Sequence, residues 1–216
     1  MKKLASIVIA LSLFLVSVHA TTSQGVDLTP SAKAAILIDY ETGQILYEKN
    51  SSAKLYPASM TKMMSLLLVV EAIHSGKLSW DTEVTASAHA SSMGGSQIFL
   101  ETGEVMTVED LYKASTVASA NDAIVALAEK VGGSEENFAA MMNEKAEQLG
   151  LEQTHFVNAT GLHDDNHYSC AKDMAAIGRA LIQEGQDDIL RFTSTYDDYI
   201  RADTENKFWL VNTNKL

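Results

Sequence analysis

Cysteine is all but missing from this sequence: Cys170 stands alone among 216 residues. A single thiol excludes an intramolecular disulfide framework and a cysteine-rich zinc site, because each needs several. Its plain role is that of a small buried hydrophobe. Proline occurs only at Pro30 and Pro57, and no repeat, low-complexity tract or evident linker divides the chain. Positive charge is scarce as well. The chain has 16 Lys and Arg against 28 Asp and Glu, for a net charge of −12. Tracking a nucleic-acid backbone requires clustered cations that displace counterions, so nucleic acid is excluded as a partner.

The apolar run at the start, residues 5–18, is interrupted by Ser6, Ser12 and Ser17. It is shorter than the ~20 residues a comfortable membrane span needs. Met1-Lys2-Lys3 precedes it and Val18-His19-Ala20 follows. A basic start, a short apolar stretch and small residues at the cleavage positions read as a secretory signal peptide over residues 1–20. An uncleaved N-terminal anchor is the rival. Removing those residues takes away Lys2 and Lys3 and leaves residues 21–216 more acidic still. The expected location is outside the cytoplasm: periplasm, outer face of the membrane, or cell wall.

What is present is enough for a core, since 46% of residues are hydrophobic. Residues 34–39 and 44–48 read as a hairpin around Tyr40-Glu41-Thr42-Gly43. A helix is expected from Pro57 to about Ser75. Residues 63–70 contain one polar side chain, Ser65, and a helix apolar all round is a buried one. Residues 84–103 are rich in Ser, Gly and Ala and read mostly as loop. Thr107-Val108-Glu109-Asp110 opens a helix to about Ala118. Further helices are expected over residues 122–131, from a Ser134 cap to Gly150, and from a Ser169 cap to about Gln183. Residues 154–168 read as loop, and the tail from Thr193 as partly strand.

A Ser three residues before a Lys on a helix is the first chemical signal. Three residues advance about 4.5 Å and place both side chains on neighbouring azimuths. A serine hydroxyl needs a base, and a lysine serves only when burial lowers its pKa. The spacing occurs three times, at Ser51–Lys54, Ser59–Lys62 and Ser169–Lys172. The first lies in a polar stretch, and the third is explained by Ser169 as a helix cap. Only Ser59 opens the apolar helix that would shield Lys62. The second signal is Ser119-Ala120-Asn121, the one Ser-x-Asn in the chain, between two expected helices. Its hydroxyl could relay a proton and its amide could hold a substrate carbonyl. The plainer reading is a helix cap.

Taken together, Ser59-x-x-Lys62 and Ser119-x-Asn121 resemble the serine penicillin-recognising enzymes. The neighbourhoods narrow the resemblance. Ala34-Ala35-Ile36-Leu37-Ile38-Asp39, Pro57-Ala58-Ser59-Met60-Thr61-Lys62 and Ser119-Ala120-Asn121-Asp122-Ala123 look like D-alanyl-D-alanine carboxypeptidases, the low-molecular-weight penicillin-binding proteins. So do Asn158-Ala159-Thr160-Gly161-Leu162 and the run from Tyr168 to Ala175. The resemblance implies an α/β penicillin-recognising fold, with an antiparallel sheet against a helical region and Ser59 at the junction. It implies that Ser59 attacks the bond between two terminal D-alanines of a peptidoglycan stem peptide, with Lys62 as general base. Ser119 would pass a proton to the leaving D-alanine, Asn121 would hold the substrate backbone, and β-lactams would acylate Ser59. No cofactor and no metal are implied.

One departure stands out. The family's third motif, Lys-Thr-Gly or close to it on a strand lining the site, does not occur here. The small β domain and membrane anchor of the family are also absent from the given sequence. The chain therefore reads as the front part of a catalytic domain, with an incomplete sheet and doubtful activity by itself. A β-lactamase is one rival, although its Glu-x-x-Leu-Asn motif is missing. A non-catalytic wall-binding protein on the same scaffold is another. His163-Asp164-Asp165-Asn166-His167 looks metal-like, but histidines four apart share an ion only when a helix or similar frame fixes them, and this stretch reads as loop. His163 and Asp173 are weak candidates for supporting roles.

Overall fold

The computed structural model describes residues 27–212 and 214. The expected signal peptide therefore lies outside the described residues. The chain divides into Met1–Ser31 and a main unit, Ala32–Leu216. In the first, Thr29 donates its backbone N–H to Asp27 Oδ1 at 3.0 Å. The main unit carries the fold described below.

It begins with the expected hairpin. Strands β1 (Ala35–Ile38) and β2 (Ile45–Lys49) pair antiparallel, with a register irregularity between Leu37 and Ile38. Asp39 closes the turn by accepting from Thr42 N–H at 2.8 Å and Thr42 Oγ1 at 2.6 Å. Those bonds favour the charged carboxylate and hold its pKa below the usual value. Gly43 sits at φ +74° and bonds back to Asp39 O, a conformation that suits glycine.

The expected buried helix begins one turn late. A 3-10 turn covers Ala58–Thr61 and runs into helix α1 (Lys62–His74). Nine of its thirteen residues are buried, including Met64 and Leu66–Val70, as its all-round apolar sequence requires. Three helices surround it: α4 (Asn121–Gly132), α5 (Glu135–Gln148) and α6 (Ala171–Thr193). Helix α3 (Val108–Val117) lies against α4 and α6. Thr107 caps α3 by accepting from Asp110 N–H, and Ser134 caps α5 by accepting from Asn137 N–H. The core they share is built on Met64, Leu67, Ile124, Leu127, Phe138 and Ile177, all within 1% of complete burial.

The structure corrects several local expectations. Residues 84–103 are not simply loop: β3 (Glu83–Thr85) pairs with β4 (Val105–Thr107), and a short helix α2 (Ala88–Ser91) lies between. Ser169 does not cap α6. Its hydroxyl bonds Thr154 Oγ1, and the cap is Cys170, whose buried sulfur accepts from Asp173 N–H at 3.4 Å. The thiol thus has a polar task beyond filling space, and burial raises its pKa. Helix α6 also runs ten residues further than expected, through a break at Gln186 (φ 43°, ψ −124°). The tail forms a hairpin of β5 (Asp197–Ile200) and β6 (Phe208–Val211). Among the described residues, sheet is confined to three separate two-stranded pairs. No described helix is long and apolar enough to cross a membrane.

Two polar clamps tie these parts together. Arg179 of α6 donates to Tyr40 O at 2.7 Å and to Glu41 O at 2.9 Å, seating the first hairpin. Asp122, fully buried at the start of α4, accepts from the backbone N–H groups of Ile98, Leu100 and Ala123 at 2.9–3.1 Å. That carboxylate fixes the loop facing Asn121. Replacing it leaves three buried donors without acceptors, each worth roughly 1–3 kcal/mol. Urea unfolding of Asp122→Ala is expected to show a loss of about 3–5 kcal/mol, while exposed Glu147→Ala stays within about 0.5 kcal/mol of the parent.

Candidate active site

Ser59 occupies the 3-10 turn and is exposed, whereas Lys62 begins α1 and is only 3% exposed. Lys62 Nζ lies 3.2 Å from Ser59 Oγ and 3.1 Å from Thr160 O. Burial alone lowers the Lys62 pKa, to about 8. The charged ammonium loses hydration that one hydroxyl and one carbonyl only partly replace. At pH 7 about a tenth of the molecules then carry a neutral amine, which can accept the Ser59 proton while still donating to Thr160 O.

The loop from Asn158 to Leu162 packs against the 3-10 turn and the start of α1. Asn158 Oδ1 accepts from Thr160 N–H, Thr160 Oγ1 and Gly161 N–H, folding the loop on itself. Ser65 Oγ donates to Ala159 O at 2.8 Å, so α1 grips the loop one turn beyond Lys62. Gly161 has φ +83°, and a Cβ there would stand 1.9 Å from Ala58 O. Backbone therefore packs on backbone directly beside Ser59. Ala58 itself has φ 48° and Ser119 has φ 57°. Left-handed backbone costs a non-glycine residue roughly 1–2 kcal/mol. Strain of this kind concentrates at functional sites, where the surrounding structure holds it in place.

Ser119 follows α3, half-buried, and lines the same cavity as Ser59 and Lys62. The cavity measures about 340 Å³, and its apolar wall comes from Met63 and Leu66 of α1 and Leu181 and Ile182 of α6. Asn121 is not among the residues lining it. It is buried, its Nδ2 donates to Gly94 O at 2.7 Å and its N–H to Ser96 O at 2.7 Å. Gly95 must be glycine at φ +83°, since a Cβ would come within 2.8 Å of Asn121 Nδ2. Neither Ser119 nor Asn121 is a helix cap: Ala120 holds that position and has no side-chain cap bond. A cleft of about 590 Å³ beside His89, Glu135 and His155 is larger, but it contains no hydroxyl paired with a buried amine.

The other sequence signals disperse. Ser51 bonds Glu48 and Ser169 bonds Thr154, so neither pairs with the lysine three residues on. Among the described residues no group of three ligating side chains could hold a metal. His163 is exposed against Tyr56, whereas His167 is buried against Thr61. Asp173 accepts from Gln153 N–H and Thr154 Oγ1 and so anchors the loop that leads to the site. Sequence reasoning missed the roles of Thr160, Gly161 and Asp122. The Asn-x-Thr-Gly spacing of an Asx turn was the available signal for the first two.

The chain and its fold have counterparts among known proteins. A family model described as D-alanyl-D-alanine carboxypeptidase matches residues 19–216. The D-alanyl-D-alanine carboxypeptidase DacF of Bacillus subtilis is 53% identical over 190 residues, covering 88% of this chain and 48% of its own. Penicillin-binding protein 6B from Escherichia coli superposes with a TM-score of 0.79 at 35% identity, covering 86% of this chain and 58% of its own. Penicillin-binding protein D2 from Listeria monocytogenes in its cefotaxime-bound form gives 0.68 at 31% identity, covering 86% and 73%. The chain spans about half the length of the curated relatives it matches. The penicillin-recognising fold expected from the two motifs is the fold observed, with its strands in short antiparallel pairs.

Two measurements probe this geometry. A lysine whose folded-state pKa lies below its unfolded value binds fewer protons when folded, so stability rises as pH climbs from about 8 to the ordinary value of 10.5. The stability of the parent relative to Lys62→Met is therefore expected to rise by roughly 3 kcal/mol across that window. A pH-independent difference would show that Lys62 is not depressed. Gly161→Ala forces a Cβ into the Ala58 backbone and is expected to lower the melting temperature by more than about 5 °C.

Proposed function

The chain belongs to the D-alanyl-D-alanine carboxypeptidase family, and from that premise we propose that the protein removes the terminal D-alanine from peptidoglycan stem peptides through an acyl-enzyme on Ser59. The observation that carries this reading is the 3.2 Å approach of a buried lysine, depressed to about 8, to an exposed serine hydroxyl in one cavity with Ser119. Activity, substrate and location are proposed for the whole protein, acting on the wall side of the membrane after export.

Neutral Lys62 takes the proton from Ser59 Oγ as the oxygen attacks the carbonyl between the two D-alanines. The backbone N–H of Ser59 is one donor for the oxyanion that forms. The C–N bond then breaks. The proton held on Lys62 passes through Ser119 Oγ to the departing amine, and free D-alanine leaves. Water attacks the ester, returning the hydroxyl to Ser59 and releasing the shortened peptide. Asn121 is given the substrate backbone by its place in the second motif; its amide nitrogen is committed to Gly94 O, so the amide oxygen is the group that would accept from the substrate. The apolar wall of Leu66, Leu181 and Ile182 keeps water from the lysine and sustains its low pKa. A β-lactam presents a strained amide to the same nucleophile, and the cefotaxime-bound relative supports that use of the fold.

Intact-mass measurement after incubation with penicillin tests the assignment. The parent is expected to gain one penicillin adduct and Ser59→Ala none, while Lys62→Ala acylates about 10²–10⁴-fold more slowly. An equal adduct on Ser59→Ala would remove Ser59 from the role. Rapid hydrolysis without accumulated adduct would point to a β-lactamase instead.

A further inference from the structure

The mechanism uses Ser59 and Lys62 but does not explain what fixes the two residues between them. Thr61 is fully buried, and its Oγ1 lies 2.8 Å from Nε2 of His167, itself only 2% exposed. The other ring nitrogen, Nδ1, faces the backbone N–H of Val157 at 3.1 Å. A backbone N–H can only donate, so Nδ1 must present its lone pair. Nε2 therefore carries the proton and donates it to Thr61 Oγ1. The partners settle the tautomer without reference to hydrogen positions. The ring also rests edge-on against Phe156, with centroids 5.7 Å apart.

This places a buried histidine behind the nucleophile turn, joining it to the far loop. Thr61 Oγ1 also lies 2.9 Å from where a Cβ on Gly161 would stand, so the His167 contact and the Gly161–Ala58 apposition form one packed seam. From the opposite side the same loop supplies Thr160 O to Lys62. We propose that His167 is a positioning residue for the Ser59–Lys62 pair, holding Thr61 through Nε2–H and Val157 through Nδ1, and that the pair is held in register only while the imidazole is neutral. The proposal rests on the reading of Ser59 as the nucleophile.

A second proton on the ring would set Nδ1–H against the Val157 N–H. The contact with Val157 must then open, and as the ring swings away from Val157 it draws Thr61, still bonded to Nε2–H, and the turn carrying Ser59 with it. Burial keeps the His167 pKa below its ordinary value, and His155 adds to this by disfavouring a second cation nearby. Asp164, on the same loop, opposes them. From the turn packed against the ring, the ionisable group is Lys62, next in the chain to Thr61 and cationic below about pH 8. The neutral form is thus maintained to a lower pH than an ordinary histidine would allow.

The test measures the rate of Ser59 acylation by labelled penicillin from pH 9 down to the most acid pH at which the parent stays folded, on protein expressed from its complete gene. Titration of Lys62 alone gives a log rate that falls with a slope of about 1 below pH 8. The parent is expected to steepen toward 2 at the acid end, where His167 also takes a proton. His167→Gln can donate to Thr61 and accept from Val157 but cannot become charged. It is expected to acylate within about threefold of the parent at pH 7 and to keep a slope near 1 throughout. His167→Phe fills the space without bonding and is expected to acylate at least about tenfold more slowly, with reversible penicillin binding unchanged. Parent-like acylation by His167→Phe, or a parent-like acid limb in His167→Gln, would overturn the proposal. Should His167→Phe fail to fold, the pH profile of His167→Gln decides alone. A parent that is never acylated at Ser59 removes the underlying reading and the proposal with it, an outcome distinct from acylation that is indifferent to His167.

Discussion

The site depends on a lysine that has been taken out of water and given too few partners. Lys62 is almost wholly buried, with one hydroxyl and one carbonyl in reach. An ammonium ion in that position is poorly solvated, and the imbalance makes the amine a usable base near neutral pH. A carboxylate near Lys62 would stabilise the cation and spoil the base, and the partners found are both neutral. The burial cost falls on the fold, which must be stable enough elsewhere to bear it.

That stability comes from the helices around α1. An all-round apolar helix can lie at the centre only if other elements cover every face, and α4, α5 and α6 do so. With α1 held by its neighbours, its first turn is held with it, and Lys62 stays almost wholly buried. The loop of Thr160 is held by three separate means: the Asn158 Asx turn, the Ser65 hydroxyl and the Gly161–Ala58 apposition. Redundant anchoring suits a contact whose geometry sets the chemistry, because displacements near 1 Å can cost a hundredfold in rate.

Buried acids take a different part. Asp122 and Asp173 each accept from backbone or hydroxyl donors and face no catalytic group. They fold the loops that bring Asn121 and the 154–168 segment into place. The acidic excess of the chain thus contributes fixed loop anchors at two buried positions, while Lys62 sits among neutral partners. Cys170 shows the same economy: lacking a disulfide partner among the described residues, it caps α6.

Some of this was legible in the sequence, for local reasons. The apolar run of α1, the Thr107 and Ser134 caps and the turn at Gly43 depend on residues within a few positions of one another. The choice of Ser59–Lys62 among three identical spacings followed from the apolar run after it, because burial selects the base. The Ser169 cap failed because two adjacent residues could both serve, and a long-range bond to Thr154 claimed the serine. The length of α6 failed because the chain resumes its helical turns after the break at Gln186 instead of ending there. The sequence by itself therefore determined which residues are the candidates for the chemistry and which helix must be buried. Only the tertiary structure decided what surrounds them: Thr160 O at the amine, His167 behind Thr61, and Asn121 locked to Gly94. Those partners lie 27 to 106 residues away along the chain, and separations of that size leave no periodicity to read.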